Sequence, residues 1–185
     1  MKKYVRCKVC GFIMEENYLK DVCPACGVPK TAFVEYKYNI NEKRHKILSL
    51  HIHPISVHYP EAMAAFLVGF LLLSFITPEF ISNDLITVNK VLSIFFPLTI
   101  ILASITGIYD AKIRFKKLSP PYLKIKIYLG IVLFVCSLIT PFLYILASYT
   151  LLVKVFLFIL AIINLFLCAV IGKIGGKLID SVMPG

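Results

Sequence analysis

Four long apolar segments constrain the fold of this chain more than any other feature of its sequence. A helix needs roughly 20 residues to cross the hydrocarbon core of a bilayer, and each segment approaches that length. The segments cover about residues 58–77, 91–109, 125–147 and 151–173. Only helices and closed barrels satisfy the backbone polar groups in lipid. We therefore predict an all-α four-helix transmembrane bundle over residues 53–185.

The charges of the connecting loops predict the orientation of this bundle. Glu79 and Asp84 lie after the first span with a single lysine, and the turn at residues 147–152 is uncharged. The region after the second span is basic: Lys112, Arg114, Lys116, Lys117, Lys124 and Lys126. Because basic loops stay on the cytoplasmic side, we expect a multi-pass protein of the cell membrane with both termini in the cytoplasm. These loops account for the net charge of +10, so we expect membrane lipid and no nucleic acid as a partner.

The polar region before the spans carries two short cysteine motifs. The N-terminal MKKYVRCKVCG has neither an apolar run nor a cleavage site, so we expect no signal peptide and place this region in the cytosol. Cys7 and Cys10 form one C-x-x-C-G knuckle, and Cys23 and Cys26 form another. In a reducing compartment this spacing indicates a metal ion rather than disulfides. Four thiolates on two turns can surround one tetrahedral ion of zinc or iron.

Both knuckles extend into longer motifs, MKKYV-x-C-x-VCGFI and VCPACGVPKTAF-x-E. These motifs resemble the abbreviated rubredoxin-like domain of rubrerythrins, over about residues 2–37. The resemblance implies a small metal-bound β/knuckle domain at residues 1–37, with one iron ion on the four cysteines and zinc as the alternative. It also implies aromatic shielding of the metal by Tyr4, Phe12 and Phe33. An extra residue before Cys7 and the absence of the long middle loop of free-standing rubredoxins are departures that remove no ligand.

Three of the four histidines fall in HIHPISVHYP, where a polar linker at residues 38–52 meets the first span. His51, His53 and His58 are candidate cofactor ligands, because an imidazole at the membrane edge can bind a metal or haem or hydrogen-bond a quinone. Pro54 and Pro60 favour a short helix that opens at the first proline and kinks or restarts at the second. Histidines that simply sit in the headgroup zone are the alternative.

The same stretch, as HP-x-S-V-H-Y-P, resembles the HP-x-x-VHFP motif of a family of small four-span membrane proteins, and IGGKLI at residues 174–179 resembles that family's ending. Two histidines framed by prolines in such proteins imply a b-type haem or a second metal ion at His53 and His58. Glu61 stands where that family usually has an apolar residue, which leaves open a ligand, a proton acceptor or a charge at a helix terminus. No histidine follows His58, so a bis-histidine haem needs both ligands from one segment or from two subunits of a homodimer.

Together these motifs favour a membrane-anchored electron-transfer protein. A rubredoxin-type iron would pass single electrons from a soluble cytosolic donor to an acceptor at the histidine cluster, with oxygen or superoxide detoxification as a candidate use. The acceptor would be a b-type haem, another metal or a quinone, and a membrane oxidoreductase is the candidate enzyme class, with no catalytic residue assigned. The sequence contains no phosphate loop and no Ser-His-Asp pattern, which argues against kinases and hydrolases. The alternative is a non-redox zinc-ribbon membrane scaffold that docks a cytosolic partner.

Overall fold

The structure is a computed structural model that describes residues 3–37, 41–146 and 150–179. The chain divides into two compact units between His45 and Lys46, and each unit is described by itself. The start of the predicted linker, residues 147–149 of the predicted turn between the third and fourth spans and the last six residues lie outside the described residues. The same is true of Ala147, where the predicted third span ends.

The first unit is built on a three-stranded antiparallel sheet. Its strands are β1 (Tyr4–Cys7), β2 (Ile13–Glu15) and β3 (Phe33–Tyr36), in the order β2-β1-β3. Val5 in the central strand lies opposite Met14 and Glu35. The buried apolar side chains of the unit are few: Val5, Cys7, Leu19 and Cys23. A core of this size is too small to hold a folded domain without a further crosslink.

The helix α1 (Glu42–Leu48) spans the division between the two units, and the described residues of the second unit form four long helices. They are α2 (Ile52–Ile76), α3 (Glu79–Phe115), α4 (Pro121–Leu146) and α5 (Leu151–Ile179). Four helical stretches are long and apolar enough to cross a membrane, namely residues 42–76, 79–115, 121–146 and 151–179. The fold class expected from the sequence, a small β/knuckle domain followed by a four-helix transmembrane bundle, is confirmed.

The helix α3 is much longer than the apolar run at residues 91–109. Its first three turns include the polar segment that the hydropathy pattern treats as a loop. This segment is helical because its polar side chains find partners on α2. The Ser82 hydroxyl donates to the Ser74 carbonyl (2.9 Å), and the Asn89 amide donates to the Leu67 carbonyl (2.9 Å).

The helix α2 passes through both prolines of the histidine-rich stretch without a break. Pro54 lies in the first turn, where the missing N–H has no helical partner to lose. Pro60 lies inside the helix and is buried. Each proline is therefore accommodated within one helix that runs from Ile52 to Ile76.

The four long helices enclose one apolar core. The helix α2 packs against α3 and α5, and α4 packs against the same two helices. The most deeply buried side chains include Ala64, Leu67, Leu71, Phe96 and Leu157. Connections of a few residues make consecutive helices antiparallel, so α2 and α4 begin at the same end of the bundle. We call this the His53 end, and it is where the residues of interest in this unit come together.

Candidate metal centre and histidine cluster

The two cysteine knuckles have the same backbone geometry. In the first, the Gly11 N–H donates to the Cys7 carbonyl (3.0 Å), and in the second, the Gly27 N–H donates to the Cys23 carbonyl (2.8 Å). Both glycines have a positive φ, +77° and +76°. A side chain is strained in that conformation, which is why each C-x-x-C motif is followed by glycine. The turns aim both cysteines of each knuckle toward the other knuckle.

The four thiols converge on one point. The Sγ atoms of Cys7 and Cys26 are 3.8 Å apart, as are those of Cys10 and Cys23. All four sulfur atoms lie within 4.8 Å of one another. A tetrahedral ion with metal–sulfur bonds of about 2.3 Å places its ligands about 3.8 Å apart. The thiols therefore fit one tetrahedral metal ion, and this distance suits iron and zinc alike.

The thiols differ in exposure and in acidity. Cys7 and Cys23 are buried, whereas Cys10 and Cys26 reach the surface. The backbone N–H of Cys10 stabilises the Cys7 thiolate and lowers the pKa of Cys7 to about 7. Although the N–H of Val28 favours the Cys26 thiolate, loss of water and the neighbouring thiols raise the pKa of Cys26 to about 12. Four thiolates this close need the positive charge of a metal ion to coexist.

The three aromatic residues expected to shield the metal differ in burial. Tyr4 and Phe33 are half-buried in the sheet, where Phe33 lies opposite Cys7. Phe12 is 39% exposed. Protein backbone and the Phe33 strand cover the buried pair of cysteines, while the exposed pair faces outward. The site therefore has one covered side and one open side.

In the second unit, His53 lies in a polar cluster at one end of the bundle. The His53 Nε2 atom is 2.9 Å from the Lys126 ammonium, which crosses from α4 to α2. The Nδ1 atom is 3.4 Å from the Thr106 hydroxyl of α3. That hydroxyl is also 2.6 Å from the Ser56 hydroxyl. Since an ammonium group can only donate, Nε2 accepts, and the neutral imidazole carries its proton on Nδ1.

Three glycines make room for the polar side chains of this cluster. A Cβ on Gly107 would lie 2.9 Å from the His53 ring, and one on Gly172 would lie 3.0 Å from Glu61 Oε1. A Cβ on Gly175 would lie 3.1 Å from Lys126 Nζ. Side chains of neighbouring helices therefore occupy the space beside these glycines, so that space is not open to a planar cofactor.

The other two histidines of the sequence cluster lie apart from His53. His51 precedes α2 in the left-handed conformation, with φ of 50°, and is exposed. His58 lies on the outer side of α2, with 79% of its side chain exposed, and its Nδ1 is 3.8 Å from Glu61 Oε2. Neither ring joins the contacts of His53 with Lys126 and Thr106. The three histidines are neighbours in sequence but do not form one site.

Sequence reasoning missed the partners of His53. The loop-charge pattern includes Lys126 without marking it as a partner of a histidine, and no motif points to Thr106. The one available signal is Gly107, the single glycine in residues 91–109. A glycine in a membrane helix marks close approach by a neighbour, but it does not say which side chain approaches.

A b-type haem on His53 does not fit this arrangement. Haem ligation needs a free imidazole nitrogen directed at the iron, and both nitrogens of His53 face polar partners. Lys126 would have to leave Nε2 before a metal could bind there. In contrast, a ligand that accepts a hydrogen bond from the Lys126 ammonium is compatible with the observed positions.

The comparison with protein-family models matches residues 6–34 to the rubrerythrin, rubredoxin-like domain. The matched range contains all four cysteines of the tetrahedral cluster. Neither the curated proteins nor the solved structures contain a match to the chain. Residues 6–34 thus form a rubredoxin-like metal-binding domain, joined to four apolar helices that fit a membrane part.

Proposed function

We propose that this chain is a membrane-anchored electron-transfer protein. A rubredoxin-type iron ion on Cys7, Cys10, Cys23 and Cys26 supplies one-electron chemistry between Fe(II) and Fe(III). The observation that supports this most directly is the tetrahedral set of four thiols within a domain that matches the rubrerythrin type. The four apolar helices support the membrane anchor.

The proposal also assigns a location. The basic loops between α3 and α4 favour a cell-membrane protein whose metal domain faces the cytoplasm. The electron donor is then a soluble cytosolic carrier. Two of the four sulfur ligands, on Cys10 and Cys26, are exposed and offer such a donor a close approach.

For the acceptor, the proposal favours a quinone at the His53 end over a haem ligated by His53. A quinone needs hydrogen-bond donors at its carbonyl oxygens, and the Lys126 ammonium has three donors, of which one is used on His53 Nε2. Haem or another metal is compatible with the exposed rings of His51 and His58, with a further ligand supplied by another copy of the chain in a homodimer. In either case, disposal of oxygen or superoxide is a use that a rubrerythrin-like domain would serve.

The alternative is a zinc-ribbon scaffold without redox chemistry. The observation in its favour is the sulfur spacing, since 3.8 Å suits zinc as well as iron. In that case the metal domain docks a cytosolic partner, and the bundle serves as its anchor.

The first experiment is a visible absorption spectrum of the purified full-length protein, oxidised and then reduced with dithionite. Iron in a four-thiolate site gives charge-transfer bands that bleach on reduction, and this outcome supports electron transfer. A colourless protein that holds one zinc ion per chain contradicts the proposal and favours the scaffold. A Soret band in the same spectrum that survives His53→Ala but disappears in His58→Ala would place a haem on His58.

A further inference from the structure

The amide of Asn164 is buried in the bundle without a hydrogen-bond partner. It lies on the inner face of α5 with Leu157, Ala161 and Cys168, and 0% of its surface is exposed. Neither Oδ1 nor Nδ2 of this side chain has a partner among the described residues. Burying an amide without hydrogen bonds costs several kcal/mol in an apolar environment. Asn164 therefore needs a partner that the described part of the chain does not supply.

Two other helices place unpartnered polar atoms in the same interior. Asn89 of α3 uses its Nδ2 on the Leu67 carbonyl, but its Oδ1 has no partner among the described residues. The Thr140 hydroxyl of α4 is also buried and unpartnered within the described chain. Because these side chains are almost fully buried within one unit, a second copy of the chain cannot reach them from outside.

A line of polar groups leads from Asn164 toward the His53 end. Cys168 follows Asn164 by four residues and Gly172 by eight, so all three lie on one face of α5. The Glu61 carboxylate of α2 lies over Gly172, where an added Cβ would be 3.0 Å from its Oε1, and 39% of the Glu61 side chain is exposed. Glu61 therefore connects the buried face of α5 with the outside of the bundle.

We propose that water enters the bundle beside Glu61 and binds the Asn164 amide, which makes this face of α5 an internal water site. A buried water needs two to four polar partners, whereas apolar cavities stay dry. The two unpartnered atoms of the Asn164 amide and the Cys168 thiol, one turn further along α5, provide that number. This inference goes beyond electron transfer and does not depend on which metal the cysteines bind.

Hydrogen exchange of the Cys168 thiol can be used to detect this water. In a Cys136→Ala background, Cys168 is the one cysteine outside the metal site, and its S–H stretch can be followed by infrared spectroscopy. The matched control is Cys168→Ala, which leaves Cys136, a half-exposed residue of α4, as the reporter. Both full-length proteins, with metal bound, are placed in lipid nanodiscs and moved into heavy water.

We expect the Cys168 S–H to exchange with deuterium roughly tenfold faster than the Cys136 S–H, because water already lies beside it. Equal exchange rates for the two thiols would overturn the proposal. Asn164→Leu in the Cys136→Ala background removes the amide that holds the water and should slow Cys168 exchange to the rate of the control. An unchanged exchange rate with a raised Tm would show a dry, merely unpartnered amide and would also overturn it.

A second variant keeps the test decisive if Asn164→Leu fails to fold. Glu61→Leu closes the proposed entrance and leaves the Asn164 amide in place. It should slow Cys168 exchange to the same extent, and a Glu61→Leu protein whose Cys168 exchanges at the original rate contradicts the proposed entrance.

Discussion

The two units of this chain solve the problem of stability in opposite ways. Among its described residues the first unit buries four apolar or sulfur side chains, and it depends on four thiols that need a cation between them. The second unit buries a continuous apolar core and surrounds it with side chains suited to lipid. The first unit therefore depends on a bound metal ion for its fold, whereas the second depends on the lipid around it. The difference predicts which changes each unit will tolerate.

The largest effect should come from removing one metal ligand, since this separates the two units most sharply. Cys23→Ser removes a buried ligand, and structural zinc contributes on the order of 10 kcal/mol to the folding of small domains. We expect the metal content to fall from one ion per chain to nearly none. Residues 3–37 should become sensitive to protease, while the helical circular dichroism signal of the bundle is kept.

The matched control for this prediction is Cys136→Ala, which removes a thiol of α4 and should leave the metal content unchanged. Retention of one ion per chain in both Cys23→Ser and Cys23→Ala, which offers no ligating oxygen, would show that the four-thiol site is not the metal site. Loss of the bundle's helicity in the same variant would break the contrast between the units.

The second largest effect is expected in the thermal stability of the bundle. Gly107→Ala places a methyl group 2.9 Å from the His53 ring, and such overpacking typically costs about 1–3 kcal/mol. We expect a lower Tm for the helical signal with unchanged metal content. Gly130→Ala is the control, because a Cβ there meets no atom within 4 Å and alanine favours the helix. A Gly107→Ala protein as stable as Gly130→Ala would argue against the observed place of His53.

A smaller effect is expected at the second knuckle. Gly27 has a φ of +76°, where a Cβ costs about 1–2 kcal/mol, although nothing lies within 4 Å of that position. Gly27→Ala should therefore weaken metal binding by roughly tenfold, as measured by competition with a chelator. The bundle's Tm should not change. Gly27→Asn tolerates positive φ better and should recover part of the affinity.

The smallest effect is expected for a buried polar side chain of the bundle. Asn89→Leu loses one hydrogen bond to the Leu67 carbonyl but also removes a buried oxygen without a partner. Hydrogen bonds between membrane helices average about 0.6 kcal/mol, so we expect a change below about 1 kcal/mol. Reversible unfolding in mixed detergent measures it. A loss several times larger would mean that polar contacts, rather than apolar packing, hold α3 against α2.

The sequence predicts the metal site better than the polar cluster, for a physical reason. The four ligands lie in two short motifs whose spacing and glycines dictate the local turn, so Cys7 to Cys26 could be assigned without the fold. The contact of His53 with Lys126 joins residues 73 positions apart, on helices at opposite corners of the bundle. No local sequence pattern predicts this contact. The length of α3 could not be predicted for the same reason, because Ser82 and Asn89 bind carbonyls of another helix.

The helix α3 has 37 residues and is therefore about 55 Å long, whereas the hydrocarbon core of a bilayer is about 30 Å thick. Tilt cannot absorb this mismatch, because a helix of that length would have to lean well beyond the 0–40° seen for membrane helices. Several turns of α3 must therefore stand clear of the lipid tails, and charged side chains lie in its terminal turns, with Glu79 in the first and Lys112 and Arg114 in the last. The anchor of this protein thus extends ordered helix into the aqueous phase, where antibodies or proteases could reach it without entering the bilayer.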